Sequence, residues 1–342
     1  MNNIDKSSIK KILAVRNDNI GDVICTTPCF EALRLHFPDA YIAVLVCRLA
    51  EDIVTGNPYL DHVFVYDKAK HGRHSNTLVA WWKQAIVLKE IREQKFDLAI
   101  GIRSDFSSSQ GWLVYASGAR YRLGVRPEKK DKKFSFFYNI YTDRVCSRIH
   151  EVERSLQVLN RIGVDIPRKR LALAVSEEMI EDAARFLGQR GIDLSKPIIC
   201  VNISSRREEN RYWESERYRQ LIELSLLAGM QVIVTTGPSD IALVPSVLKG
   251  ISHKVPVYSG SLKELAAVVS LCTVFVTVQG GPMHLAAATG VATIALFGKE
   301  DPAIWGPWGP RHTVIKKNGD INEISPAEVF FIAEDLIRAR PL

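Results

Sequence analysis

Asp22 closes the run Asn17-Asp18-Asn19-Ile20-Gly21-Asp22, between the apolar Ile12–Val15 and a stretch rich in Ala, Leu and Arg. A carboxylate just beyond a strand tip can take a proton from a hydroxyl, and Gly21 would let the chain turn sharply to bring it there. The same carboxylate equally suits the positive end of a helix in its first turn. Further on, Gln279-Gly280-Gly281-Pro282 follows the apolar Val274–Val278 and leads into Met283-His284-Leu285-Ala286. Two glycines permit close approach of a ligand to the backbone, and the uncapped amides of a helix start suit an anion such as a diphosphate. A helix-capping turn without a ligand is the alternative reading. His284 reads either as a contact to phosphate or sugar or as a half-buried imidazole.

Ser204, Ser205, Arg206 and Arg207 follow another apolar run, and Arg211-Tyr212-Trp213 precedes the next helical pattern. Hydroxyl and guanidinium donors suit phosphate oxygens, while a solvated basic loop accounts for them as well. Asp240, in Gly237-Pro238-Ser239-Asp240, either accepts from ribose hydroxyls or occupies the first turn of a helix. Gly-x-Gly-x-x-Gly and the Walker Gly-Lys-Ser/Thr are both absent, which argues against nicotinamide, flavin and P-loop chemistry. Cys25 and Cys29 are four apart with no third ligand nearby, and His71 and His74 lack carboxylate or thiol company, so no metal is expected. Basic clusters at Lys68–His74 and Lys129–Lys133 could meet an anionic acceptor or a bilayer, with a solvated loop as the default; aromatics do not interleave with them regularly, so nucleic acid is not expected.

These residues need strands and helices to hold them. Ile12–Val15, Tyr41–Val46, Val63–Tyr66 and Leu98–Ile102 read as strands in the first half, with helices over Ile24–Phe37, Leu78–Glu93, Ser109–Ser117 and Ile149–Ile162. In the second half strands are expected over Ile198–Asn202, Gln231–Thr235, Val274–Val278 and Thr293–Phe297. Helices there should cover Glu177–Leu187, Ser215–Leu227, Leu262–Leu271 and Met283–Thr289. Alternation of this kind predicts an α/β fold of two doubly wound parallel sheets. With 342 residues the chain suits two domains, set here at 1–168 and 169–342. Pro326 opens a last helix, 326–340, that is a candidate to pack back on the N-terminal domain. Open α/β sheets bind ligands beyond their carboxyl ends, so two such domains are expected to share a cleft.

Composition sets outer bounds. Apolar residues at 46% and charged residues at 24% exclude wholesale disorder, and a net charge of +7 favours an anionic partner. Leu265–Gly298 carries no Lys, Arg, Asp or Glu, yet Gln279–Pro282 and His284 interrupt it, so a buried strand, turn and helix fit better than a membrane span. Met1–Lys11 is polar and lacks an apolar signal core, and the six cysteines are scattered, which together point to a cytoplasmic setting.

The chain resembles glycosyltransferase family 9, the ADP-heptose:lipopolysaccharide heptosyltransferases, from about Lys11 onward. The resemblance is carried by Ile12-Leu13-Ala14-Val15-Arg16 with Ile20–Pro28, by Gly281–Ala288 through Phe297-Gly298 to Asp301-Pro302, and by His150–Arg154, Arg211–Trp213 and Gly237–Asp240. It implies a GT-B fold, two Rossmann-like domains facing across a cleft, and inverting, metal-independent transfer of a sugar to a lipopolysaccharide-core or related glycan acceptor. The donor would be a nucleotide-diphosphate sugar, ADP-heptose by the resemblance, with no other cofactor. Asp22 matches the proposed general base, Ser204, Ser205, Arg211, Gly281 and His284 match donor-site positions, and Arg154 matches a basic position facing the acceptor. The residue reading adds Asp240, Gln279, Gly280, Pro282 and Met283 to the donor side. Family members usually carry Asp-Thr where Gln279-Gly280 stand, so hydroxyl recognition here falls to a neutral amide. Partners implied are the donor, an anionic glycolipid or glycan acceptor, and peripheral contact with the cytoplasmic face of the inner membrane. A nucleotide-sugar-binding protein without transfer and a sugar-nucleotide epimerase are the rival readings.

Overall fold

The computed structural model describes residues 5–66, 77–166, 169–203 and 212–339. The chain divides into two compact units, Met1–Ala174 and Val175–Leu342.

In the first unit, β1 (Lys11–Arg16), α1 (Ile20–His36), β2 (Tyr41–Cys47), α2 (Glu51–Val54), β3 (His62–Tyr66), α3 (Thr77–Glu93), β4 (Leu98–Gly101), α4 (Ser108–Ala116), β5 (Tyr121–Val125), β6 (Ile140–Thr142) and α5 (Glu151–Asn160) follow in order. The strands form one all-parallel sheet ordered β3-β2-β1-β4-β5-β6. Ile12, Leu13, Ala14 and Val15 are all buried, as continuous apolar runs must be when helices cover both sheet faces.

The second unit runs α6 (Glu177–Gly188), β7 (Ile198–Asn202), α7 (Ser215–Leu227), β8 (Gln231–Thr235), α8 (Val244–Val247), β9 (Val257–Tyr258), α9 (Leu262–Ser270), β10 (Val274–Val278), α10 (Gly281–Thr289), β11 (Ala292–Phe297), α11 (Pro302–Trp305), β12 (His312–Lys316) and α12 (Pro326–Arg338). Its parallel sheet is ordered β12-β11-β10-β7-β8-β9, the same winding as the first when each unit is counted from its own first strand. The charge-free stretch 265–298 resolves into most of α9 with β10, α10 and β11, and among the described residues no helix is long and apolar enough to cross a membrane. Val329 and Ala333 of α12 belong to this unit's own core, beside Trp213 and Leu221. The last helix therefore spends its apolar face within the second unit.

Local chemistry explains where elements differ from the expected bounds. The first helix begins at Ile20 rather than Ile24, and Gly21 lies inside its first turn, so the chain turns off β1 through Asn17–Asn19 instead. Pro28 sits within α1, where it cannot donate to the Ile24 carbonyl. Thr27 Oγ1 donates to that carbonyl at 2.8 Å, and the same hydroxyl accepts from the Ala172 N–H at 3.0 Å, so the helix continues unbroken. Four strands had no sequence signal: β6, β9 and β12 are sheet edges of two to five residues, and β5 (Tyr-Arg-Leu-Gly-Val) mixes polar residues into its run. The lysines of 129–133, read as a loop, open a 3-10 helix over Lys129–Phe137.

Candidate active site

In the first unit the strand order reverses between β1 and β4, and at such a point the neighbouring loops part and leave a crevice beyond the strand tips. Arg16 ends β1 there with its side chain buried. A buried guanidinium is tolerated only where acceptors match its donors. Nη1 donates to the Ile102 carbonyl just past β4, Nη2 lies 3.0 Å from both Asp22 Oδ1 and Glu151 Oε1, and Nε lies 3.0 Å from Asp18 Oδ2. Burial by itself would loosen the Arg16 proton, but Asp18, Glu151 and Asp22 outweigh it and hold the proton more tightly than usual.

Two further arginines complete the cluster: Arg103 Nη1 reaches Asp18 Oδ1 at 2.7 Å and Arg154 Nη1 reaches Glu151 Oε2 at 3.5 Å. Ser104 Oγ donates to the same Glu151 oxygen at 3.3 Å. Three arginines thus meet three carboxylates. Of these carboxylates Asp22 is the most accessible, 18% exposed against 12% for Asp18 and 2% for Glu151. Its Oδ2 accepts from the Asn19 N–H at 3.3 Å, the capping-box geometry of a third helical residue. Helix capping and proton acceptance are compatible here, because a carboxylate has about four lone-pair positions and these two contacts fill half of them. Arg154, held by Glu151 and by the Val145 carbonyl at 2.9 Å, leaves its Nε–H without a partner among the described residues. Burial raises the Cys25 and Cys29 thiols on the inner face of α1 well above their usual range, so neither is a nucleophile.

The second unit has its own reversal, between β7 and β10. Thr277 Oγ1 donates to Asn202 Oδ1 at 3.2 Å, and Asn202 Nδ2 donates to Thr235 Oγ1 at 3.0 Å, which ties the ends of β10, β7 and β8 together. Gln279 leaves β10 with its backbone N–H on the Leu296 carbonyl at 3.0 Å. Its side chain is only 5% exposed, yet neither the amide oxygen nor the amide nitrogen has a partner among the described residues. Leaving such groups unsatisfied costs about 1–3 kcal/mol each. Gly280 follows at φ +153, a conformation that residues with a Cβ avoid, and α10 opens at once with Gly281 and Pro282. These three residues are half-buried, so the helix start stays within reach of solvent.

Met283 departs from the donor-site reading: its side chain is fully buried with Ala295 and Phe297, and Trp305 packs against them. Only its backbone amide remains for a ligand, because the side chain is taken up by the Ala295 and Phe297 face of β11. His284 is buried too, with its N–H on the Gly280 carbonyl at 3.5 Å. Asp240 caps a 3-10 turn, Ile241–Leu243, rather than the first turn of an α-helix, and accepts from Ser239 Oγ at 3.4 Å. Ser204, Ser205 and Arg211 lie outside the described residues, as do Lys68–His74 with His71 and His74. Trp213 next to them is buried, donating Nε1–H to the Ile324 carbonyl at 3.1 Å.

Arg16 and Glu151 lie inside motifs that carry the family resemblance, but residue type and spacing assign them no role. The available signal was a charge at the end of an apolar strand, which must be buried with partners if the strand is central. Which partners, 135 residues away, only the fold supplies.

Comparison with known proteins gives a consistent picture. The profile of glycosyltransferase family 9 (heptosyltransferase) matches residues 85–325. Lipopolysaccharide heptosyltransferase 3 of Escherichia coli is 26% identical over 294 residues, covering 84% of this chain and 83% of that protein. Among solved structures, a family 9 glycosyl transferase from Veillonella parvula superposes with a TM-score of 0.85 at 24% identity, covering 97% of this chain and 98% of its own. E. coli heptosyltransferase WaaC with ADP superposes at 0.78 with 19% identity, covering 95% and 99%. At these identities the structural likeness speaks for the fold.

Proposed function

The chain belongs to glycosyltransferase family 9, the heptosyltransferases of lipopolysaccharide biosynthesis, and on that footing we propose that it carries out inverting transfer of a heptose from an ADP-linked donor to a hydroxyl of a lipopolysaccharide-core sugar. Asp22 takes the proton of the acceptor hydroxyl as that oxygen forms its bond to the anomeric carbon. The bond from carbon to the diphosphate oxygen breaks on the opposite face, and its electron pair leaves with the diphosphate. With an oxocarbenium-like transition state the proton moves late, and charge stabilisation supplies most of the acceleration. The backbone N–H groups of Gly281 and Met283 at the start of α10 meet the departing charge, and Ser204, Ser205 and Arg211 are assigned to the phosphate oxygens. Arg154 faces the acceptor, and Asp240 the ribose. No step in this scheme calls for a metal ion.

The observation that carries the reading is the Gln279 amide, buried with both polar atoms unanswered among the described residues, beside the half-buried opening of a nine-residue helix. A sugar hydroxyl donates and accepts at once, so a pair of hydroxyls would satisfy both atoms while the attached diphosphate lies against the helix start. The test is a panel of nucleotide-sugar donors, offered with and without a lipopolysaccharide-core oligosaccharide and followed by mass spectrometry. Acceptor-dependent release of ADP with a heptosylated product supports the proposal. Donor binding without release would favour a binding protein, and an isomerised donor formed without acceptor would favour an epimerase.

A further inference from the structure

Beyond its site, the first unit exposes aromatic surface where a soluble domain ordinarily has none. Trp112 and Tyr115 of α4 are 43% and 41% exposed, and Phe136 of the 3-10 helix Lys129–Phe137 is 53% exposed. They form one patch: the Tyr115 ring meets Phe136 edge-on at 5.1 Å and Trp112 at 6.2 Å, all resting on the buried Phe137. On the adjoining α3, Trp82 and Ile86, one turn apart, are exposed as well.

Charge accompanies the aromatics. Lys129, Lys130, Lys132 and Lys133 open the same 3-10 helix and are exposed, with Asp131 between them; among the described residues Lys130 alone of the four pairs with a carboxylate, Glu128 at 3.7 Å, and Lys133 lies 5.0 Å over the Phe134 ring. The Arg122 guanidinium lies 5.6 Å over the Tyr115 ring. Amphipathic rings with a cluster of lysines beside them match the headgroup layer of a membrane, where tryptophan and tyrosine prefer the interface and lysines meet anionic headgroups. A second copy of the chain would complement the rings but not the lysines.

We propose that this face, formed by α4 and the 3-10 helix, docks on a bilayer surface containing anionic phospholipid. Its place in the unit gives the docking a use: Gln110 Nε2–H at the start of α4 donates to the Val15 carbonyl at 3.0 Å, and Asn17 Nδ2–H donates to Ser109 Oγ at 3.3 Å, so the patch is built on the same strand tip that carries Arg16 and leads to Asp22. This deepens the proposed function and rests on it for the lipid-linked nature of the acceptor. Two weak signals, aromatic insertion and lysine attraction, combine into a reversible association that raised salt weakens.

The experiment is co-sedimentation of the full chain with vesicles of phosphatidylethanolamine alone or mixed with phosphatidylglycerol. The wild type should pellet with the mixed vesicles and not the neutral ones. Lys132→Glu with Lys133→Glu should weaken partitioning by about fivefold per lysine, and Trp112→Ser with Phe136→Ser by about tenfold. Phe331→Ser, at an exposed ring of the second unit, should change nothing. Near-wild-type transfer by these variants to a lipid-free core oligosaccharide would confirm that they are folded and that only docking is lost. Equal binding to both vesicle types, or no loss in either double variant, overturns the proposal. A wild-type dimer in solution that Trp112→Ser dissociates would likewise overturn it, assigning the face to a second copy. Vesicle binding as described without transfer to any acceptor would instead sink the proposed function and leave the docking surface standing.

Discussion

Arg16, with Arg103 and Arg154, balances three carboxylates that could not otherwise gather at one strand tip, and this determines what each variant will do. Asp22→Asn removes one negative charge but leaves Arg16 on Asp18 and Glu151, so the fold and donor binding should survive. Turnover should fall by about 10²- to 10⁴-fold, the usual contribution of a general base, while the donor dissociation constant measured by calorimetry stays put. Undiminished turnover would remove Asp22 from the mechanism. Gln279 makes the opposite kind of prediction. Gln279→Leu replaces two unanswered polar atoms by apolar ones of similar size, so the ligand-free protein should become more stable to urea by about 1–3 kcal/mol while losing affinity for donor. A variant that loses stability and keeps its affinity would mean that the amide is satisfied within the fold and does not read the sugar.

At the scale of elements, the turn between β10 and α10 depends on one backbone conformation. Among the described residues a Cβ at residue 280 meets only the Pro282 ring, 4.0 Å away, so space is not the obstacle; the φ of +153 is. Gly280→Ala should therefore cost about 1–3 kcal/mol in thermal or urea unfolding, and a cost near zero would show that the turn relaxes freely. The start of β12 supplies a pH dependence. His312 is partly buried, which holds its ring below the ordinary histidine value, with the Trp308 carbonyl working weakly the other way and Arg311 adding to the lowering. Its Nδ1 has no partner among the described residues. The folded state then binds fewer protons than the unfolded one, so the contribution of His312 is present above the ordinary value of 6.5 and is lost as pH falls from there toward the lowered one. Melting temperatures of wild type and His312→Asn, followed from pH 7.5 down to 5, should converge as the pH falls. Parallel curves would show that the ring titrates normally.

For the whole molecule, duplication of one winding order in two units means that each has its own core and its own strand-order reversal. The second unit's core, with Trp213 and Tyr218 against β7 and α12 closing over it, lies entirely within 175–342. That segment, expressed alone, should give a single cooperative unfolding transition with a native near-ultraviolet spectrum; a chain without fixed aromatic signals would show that its core needs the other unit. The sequence by itself determined the alternation of strands and helices, the central strands other than β5, the turn at Gln279–Pro282 and the family, because apolar periodicity and short motifs are local and written in consecutive residues. It left the edge strands β6, β9 and β12 silent, though not β3, since half-exposed strands of two to five residues have little apolar pattern to show. Only the tertiary structure decided that Arg16 meets Glu151, that Met283 faces the core and that Gln279 is buried without a partner among the described residues. Those facts depend on which groups distant in the chain are brought within about 3 Å, a length over which hydrogen bonds and desolvation act and which no spacing along the sequence encodes.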